Sequence, residues 1–378
     1  MKNIIAVIAI IIVLVLIFSY TFQFIKNVSQ GLNFTFEKKE ISEKKPISKQ
    51  TKQSPVIKSK NIKTGSLIDT SIISGPKQGE IINNTNEIVF EWEAKDFSKE
   101  LEKEIKFETK VEEIDDNWKS TSSKKRTIKF PAGPKEYKFF VRAKTNDLID
   151  LTPASRTFKI NISPYFGKIK ISGVKEKTSS HPSQITLSSN IDEKERINIT
   201  DWNIKGYKGE ITIPQGIEKY QPYGIVNDVF IDKNDKVYLL SDNSPFGANK
   251  NFRLNKCFGY YSNYQNFYPS FSKSCPKATY ENLSDLNQYC QEFILDLSTC
   301  EIPNYSNNYN VSSNYNCTSY IQDRFNYTGC LKHHSQDKDF FKNYWYVYLS
   351  SNIVSDYRDT LYMYDKNNLF VNKYKYRY

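Results

Sequence analysis

Four short stretches alternate apolar and polar residues with a period of two. In EIVFEWE, 87–93, Ile88, Phe90 and Trp92 fall on one face, flanked by Glu87, Glu91 and Glu93. Ile105, Phe107, Thr109 and Val111 alternate with charged residues. Tyr137, Phe139, Val141 and Ala143 do so in YKFFVRAK, and Phe158, Ile160 and Ile162 in TFKINI. Successive side chains of a strand point to opposite faces, so each stretch buries one face and wets the other. Several such strands, separated by Gly, Pro, Asn and Asp, predict an antiparallel sandwich over 70–163.

The pattern continues in KIKI at 168–171, QITLSS at 184–189, ERINITDWNIKG at 195–206, GEITIPQG at 209–216 and DVFIDKNDKVYLLSD at 228–242. It returns in WYVYLSS at 345–351 and DTLYMYDKNNLFVNKYKY at 359–376. Two D-K-N-[DN] turns, at 232–235 and 365–368, punctuate strand pairs. The chain has 378 residues, room for two domains after a leader. The expected fold class is all-β, with two sandwich domains in tandem at 70–163 and 164–378.

An unbroken apolar run, Ile4 to Phe18, continues through Tyr20, Phe22 and Phe24 to Ile25 and is bracketed by Lys2 and Lys26. As a helix it would be roughly 33 Å long, enough to cross a ~30 Å hydrocarbon core. A secretory signal peptide is the rival, but it needs a short apolar region and a small-x-small cleavage site. The run ends in aromatics with no Ala-x-Ala. The expectation is an uncleaved transmembrane anchor over 1–26, its partner the lipid bilayer, with Tyr20, Phe22 and Phe24 at the outer interface. Orientation is N-in with the bulk extracytoplasmic. Lys2 faces a Lys-rich segment, which on charge alone leans the other way. Long domains translocate regardless of such charges, and the cysteines below decide it.

The formal charge of +11 does not mark a nucleic-acid partner. Residues 37–64 carry nine Lys against three Glu and Lys2 and Lys26 add two more, so about +3 remains over 65–378, ordinary for a soluble surface. Lys, Asn, Ile and Tyr have AT-rich codons, so base composition accounts for much of the basicity. Residues 27–69 are rich in Lys, Ser, Thr and Gln, contain Pro46 and Pro55, and show no periodicity. They read as a disordered, charge-extended stalk. A basic stalk beside a membrane could also rest on anionic headgroups.

Gly75–Pro76, IVFEW at 88–92 and YKFFVRAKTNDLIDLTPAS at 137–155 resemble fibronectin type III and related Ig-like modules. The resemblance implies that Trp92 fills the core from strand B and that Tyr137 makes the tyrosine corner. The charged, irregular stretch between them leaves the intervening strands unassigned. In the second half, Ile199, Asp201, Trp202 and Ile204 form I-x-[ND]-W-x-[IL], and Ile213, Pro214 and Gly216 form I-P-x-G. Asp235 to Leu239 supplies a D-x-V-Y-L strand, and Thr360 to Val371 closes the pattern. This order resembles a lamin-tail domain, an Ig-like sandwich, over 164–256 and 343–378. Trp202 and Trp345 are expected in its core. The departure is an insert, 257–342, that carries every cysteine.

Those are Cys257, Cys275, Cys290, Cys300, Cys317 and Cys330, at gaps of 18, 15, 10, 17 and 13. No C-x-x-C pair occurs, and structural zinc sites usually contain one. An even count outside a membrane implies disulfides. Fifteen pairings are open, with some preference for closing the short loop Cys257–Cys275. Leu283, Leu286, Tyr289, Cys290, Phe293 and Leu297 stand near helical spacing within 282–299. The insert is expected to be one small helix and loops, with too little core to stand alone.

No P-loop, G-x-S-x-G, H-E-x-x-H, Rossmann glycines or EF-hand loop is present. No catalytic residue, metal site or cofactor is therefore assigned. His181, before Pro182 in a Ser-rich turn, reads as a solvated loop residue. The carboxylate pairs Asp115–Asp116 and Asp192–Glu193 read as solvated turns. CLKHHSQDKDFF at 330–341 crowds Cys330, His333, His334, Asp337 and Asp339 together. Zinc would need a reduced Cys330 and both imidazoles on one ion. Adjacent side chains in an extended segment diverge, and Gly329 disfavours a helix there. A disulfide-pinned turn leading to the strand at Trp345 is expected. The tyrosines of the insert, YYSNYQNFYPSF at 260–271 among them, could stack on sugars or anchor a protein interface, or reflect codon usage and β propensity. The expected function is binding or structural, at the bacterial cell envelope, with an envelope or extracellular protein or glycan as partner. A carbohydrate-binding module and a hydrolase or hydrolase accessory are the alternatives.

Overall fold

The structure is a computed structural model that describes residues 68–95, 105–146 and 148–377. The anchor expected over 1–26 and all but the last two residues of the stalk lie outside the described residues. Among those described, no helix is long and apolar enough to cross a membrane.

Among the described residues, eight strands build the first sandwich: β1 (Asp69–Ser74), β2 (Glu80–Ile82), β3 (Glu87–Lys95), β4 (Lys106–Val111), β5 (Lys119–Thr121), β6 (Lys125–Lys129), β7 (Lys135–Lys144) and β8 (Ala154–Ile160). One sheet runs β1-β3-β6 and the other β2-β8-β7-β4-β5. Pairing is antiparallel except for β2 on β8. Two such sheets packed over a shared apolar core make an Ig-like sandwich. The inward residues are those that the alternation puts on one face. Phe90 stacks on Phe139 with centroids 4.0 Å apart, and the fully buried Trp92 lies 6.0 Å from both Phe107 and Phe139. Tyr137 is buried against Phe130 at 4.7 Å, and burial pushes its phenol above the ordinary value.

One carboxylate departs from its expected place. Asp116 is exposed, but Asp115 is buried in the turn after β4. It accepts two bonds from Arg126, at 2.8 and 2.9 Å, and one from the Val111 N–H at 2.9 Å. Lys119 adds an ion pair at 2.6 Å. Burial alone would raise this carboxyl, but those bonds outweigh it and hold it well below the usual carboxylate range. Asp192 and Glu193 are both exposed.

The second sandwich uses β9 (Ile169–Lys175), β10 (Gln184–Ser189), β11 (Ile197–Asn198), β12 (Asn203–Gly206), β13 (Gly209–Thr212), β14 (Phe230–Ile231), β15 (Lys236–Leu240), β16 (Phe252–Asn255), β17 (Phe341–Tyr348), β18 (Asp359–Tyr364) and β19 (Phe370–Tyr376). Its sheets run β16-β17-β15-β10-β9 and β13-β12-β18-β19, with β11-β14 as a short ribbon. The D-K-N-[DN] turns close as turns. Asn234 and Asn368 take φ of 64° and 58°, and the N–H groups of Asp235 and Asn368 reach the carbonyls of Asp232 and Asp365. Asn tolerates this left-handed backbone better than most residues. Trp202 and Trp345 are both fully buried in this core.

The two sandwiches share an edge. Phe370, at the start of β19, belongs to the first core. The Ser163 N–H donates to its carbonyl at 2.9 Å, and its ring lies 5.8 Å from Phe166.

Candidate functional site

β15 and β17 pair in parallel, and their side chains alternate between two cores. Val237, Leu239, Trp345 and Val347 enter the sandwich. Tyr238, Leu240, Tyr344, Tyr346 and Tyr348 face the opposite way, toward the insert. A sheet covered on both faces reads as a nearly continuous apolar run, which is the composition of KVYLL and WYVY. The insert is thus an enlarged hairpin loop between β16 and β17. Asn255 pairs with Phe341 at its neck, and the Lys256 N–H donates to the Phe340 carbonyl at 2.9 Å.

Most aromatics of the insert are core, not surface. Phe252 stacks on Tyr346 at 5.2 Å and on Phe258 at 4.6 Å. Tyr327 packs on Tyr261 at 4.3 Å, and its hydroxyl donates to the Tyr220 carbonyl at 2.8 Å. Tyr264, Tyr280, Tyr289, Tyr309 and Tyr315 are exposed. His181 is not a solvated loop residue. It is half-buried and stacks on Tyr268 at 4.9 Å, nearly parallel.

The expectation of one small helix is also corrected. Four helices form: α1 (Gln288–Leu295), α2 (Tyr309–Ser312), α3 (Tyr315–Arg324) and α4 (Tyr327–His334), with 3-10 turns at Lys256–Asn263 and Tyr280–Leu283. Each of the four starts at an asparagine whose side chain accepts from a first-turn N–H. Asn287 caps to Cys290, Asn308 to Val311, Asn314 to Cys317 and Asn326 to Gly329. Such caps satisfy one of the free donors at a helix start. Gly329 sits inside α4 because the backbone of α3 passes close. A Cβ there would meet the Asp323 carbonyl oxygen at 2.2 Å.

The six cysteines pair as Cys257–Cys330, Cys275–Cys300 and Cys290–Cys317. The short-loop pairing Cys257–Cys275 is therefore not formed. Cys257 belongs to the neck and closes onto α4, which returns to it, while Cys290 and Cys317 join the capped first turns of α1 and α3. Gly259 gives the second bond room: a Cβ there would meet Cys300 Sγ at 2.1 Å.

CLKHHSQDKDFF folds as the end of α4 and the return to β17. Its histidines are held apart by separate carboxylates. His333 Nε2 meets Asp323 Oδ2 at 2.6 Å, and His334 Nδ1 meets Asp337 Oδ2 at 2.9 Å. Lys256 reaches Asp337 at 2.8 Å and Asp339 at 2.6 Å, pinning the return to the neck. Among the described residues no cluster of His, Cys, Asp and Glu could hold a metal ion. The Glu218, Asp232 and Asp235 carboxylates that converge nearby are occupied by the buried Arg253 guanidinium, at 2.9, 2.7 and 3.1 Å.

Two of the concave features among the described residues bear on binding. One is a cleft of about 80 Å³ inside the insert, whose lining includes Tyr260, Lys277, Tyr320, Arg324, His333 and His334. The other is an open groove of about 470 Å³ on the β13-β12-β18-β19 sheet, lined by Lys205, Tyr207, Arg358, Tyr362 and Lys375 among others. Sequence reasoning singled out Cys330, His333, His334 and the tyrosine run containing Tyr260 in the cleft, and gave residues of the groove such as Lys205 and Thr360 only strand positions.

No protein-family model matches this chain, and no curated protein matches it. Among solved structures, the extracellular domain of a hybrid two component system from B. thetaiotaomicron is similar at 16% identity and TM-score 0.22, over 26% of this chain and 16% of that one. The FN1-FN3 domains of chicken CNTN1 are similar at 11% identity and TM-score 0.20, over 46% of this chain and 57% of theirs. A segment of two fibronectin type III domains from chicken tenascin is similar at 10% identity and TM-score 0.21, over 47% and 83%. This chain thus spans well under two thirds of the first two. Likenesses this partial carry no argument, and the sandwich assignment rests on the strand pairing above.

Proposed function

We propose that this chain is a membrane-anchored, extracytoplasmic binding protein of the bacterial cell envelope, without catalysis, whose disulfide-bonded insert is the recognition element. The observation that carries the reading is that every cysteine is paired, all within one insert seated on a sandwich sheet. Disulfides persist in oxidising compartments, and a small helical unit without a large core of its own depends on them. In this reading 1–26 anchors, 27–69 spaces, and a lamin-tail-type sandwich displays the insert to an envelope or extracellular partner. The motifs from Ile199 to Val371 support the lamin-tail type. Protease added to intact spheroplasts should remove 65–378. Full protection there, with free thiols on the intact chain, would reverse it.

The groove favours a second reading, a carbohydrate-binding module. Tyr207 is 86% and Tyr362 41% exposed, and both stand beside cationic and hydroxyl side chains. Exposed tyrosine faces stack on sugar rings. Glycan-array binding that is lost in Tyr207→Ala and Tyr362→Ala would favour this reading; binding untouched by both would remove the groove from consideration.

A further inference from the structure

The insert cleft has an unusual chemical balance. Lys277 and Arg324 line it, and among the described residues neither has a carboxylate partner. The Arg324 guanidinium lies over the Tyr320 ring at 4.8 Å, which holds it without neutralising it. Tyr260 is 4% exposed and lines the cleft, yet its hydroxyl makes no hydrogen bond to the described residues. That hydroxyl is not among the buried atoms left without a partner, so it opens onto the solvent of the cleft and is free to donate to an occupant there. Burial pushes that phenol up to about 12, so it faces the cavity as a neutral O–H donor. His333 and His334 complete the lining. Asp323 and Asp337 each hold one imidazole nitrogen, and the other nitrogen of each ring has no partner among the described residues.

Size sets the scale of the occupant. A water needs roughly 10–15 Å³ of such space, so about 80 Å³ takes a group of about five heavy atoms. That is one phosphate or sulfate, or a carboxylate with its first carbon; a sugar ring is too large. We propose that this cleft binds a single small oxyanion group through Arg324, Lys277 and the Tyr260 hydroxyl, with His333 and His334 beside it. Donors are the dominant polar side chains here, and charge-assisted bonds to oxyanions are the strong ones. The proposal rests on the insert being a recognition element and names the chemistry that it recognises.

The three histidines make the test site-specific. The full-length chain, labelled at histidine and held in detergent micelles, is titrated at constant ionic strength with inorganic phosphate, glycerol 3-phosphate or glucuronate. Saturable shifts of the His333 and His334 ring signals, with His181 unmoved on Tyr268, are expected. The probe with the lowest midpoint tells a free anion from a phosphomonoester or an acidic sugar. Tyr260→Phe and Arg324→Gln should each raise the midpoint about tenfold, the worth of a hydrogen bond to a charged group. Tyr260→Phe keeps the ring, so it separates lost binding from lost folding. Shifts that merely track chloride, or midpoints unchanged in both variants, would overturn the proposal. The titration uses purified protein, so its failure would leave the cellular location standing. A failed protease experiment would likewise leave the titration standing.

Discussion

At the scale of single residues, Asp115 is where charge holds the first sandwich together. Its side chain is fully buried, and that of Arg126 is 18% exposed. Removing one partner of a buried pair strands the other. Asp115→Asn should therefore cost about 3 kcal/mol in urea melts at neutral pH. The sign of the pH dependence follows from the depressed carboxyl. Its contribution is complete above the unfolded value of about 3.9 and is drawn down as pH falls below that. Below about pH 4 the wild type should lose stability more steeply than the variant, and parallel slopes in acid would disprove the pairing. Asp115 was misread because its partner lies eleven positions away across a turn, where no local pattern reveals it. The tryptophans were easier. Trp92 falls on the apolar face of a strict alternation, and that face is buried whatever the neighbouring strands do.

At the scale of elements, period-two strands were legible and the helices of the insert were not. α3, YNCTSYIQDR, has few aliphatic residues, so hydrophobic periodicity hardly marks it. The available signal was Asn three residues before a first-turn N–H, as in NQYC at 287–290 and NYNC at 314–317, and the reading of the insert did not use it. Both caps place a cysteine on the first turn, so cap and staple act together. Converting Cys290 and Cys317 to Ser should cost about 3 kcal/mol, the usual worth of a disulfide closing a loop of this size. Differential denaturant melts would measure it, and a loss below about 0.5 kcal/mol would match an ordinary surface change instead. Non-reducing peptide maps should link 257 to 330, 275 to 300 and 290 to 317. A 257–275 link would contradict the fold of the neck.

At the scale of the whole molecule, the parallel pairing of β15 with β17 escaped sequence reasoning. The chain between them spans about a hundred residues, and no periodicity encodes so distant a neighbour. The shared edge at Phe370 escaped for the same reason. Phe370→Ala should cost about 3–5 kcal/mol and weaken the coupling between the sandwiches. Calorimetry should then show two transitions where the wild type shows one; an unchanged single transition would mean that the edge does not couple them.

The position of β18 and β19 also governs the order of assembly. β12 pairs with β18, and β18 with β19, so the second sandwich cannot close until residues 359–376 have been made. The neck waits too, because Cys257 precedes Cys330 by 73 positions. A chain emerging from its N-terminus offers Cys257 a wrong partner, Cys275, long before the right one. Its maturation would then depend on thiol–disulfide exchange after delivery as well as on oxidation during it. On the extracytoplasmic reading proposed above, a host for this protein would need a catalyst that breaks and remakes such bonds outside the membrane.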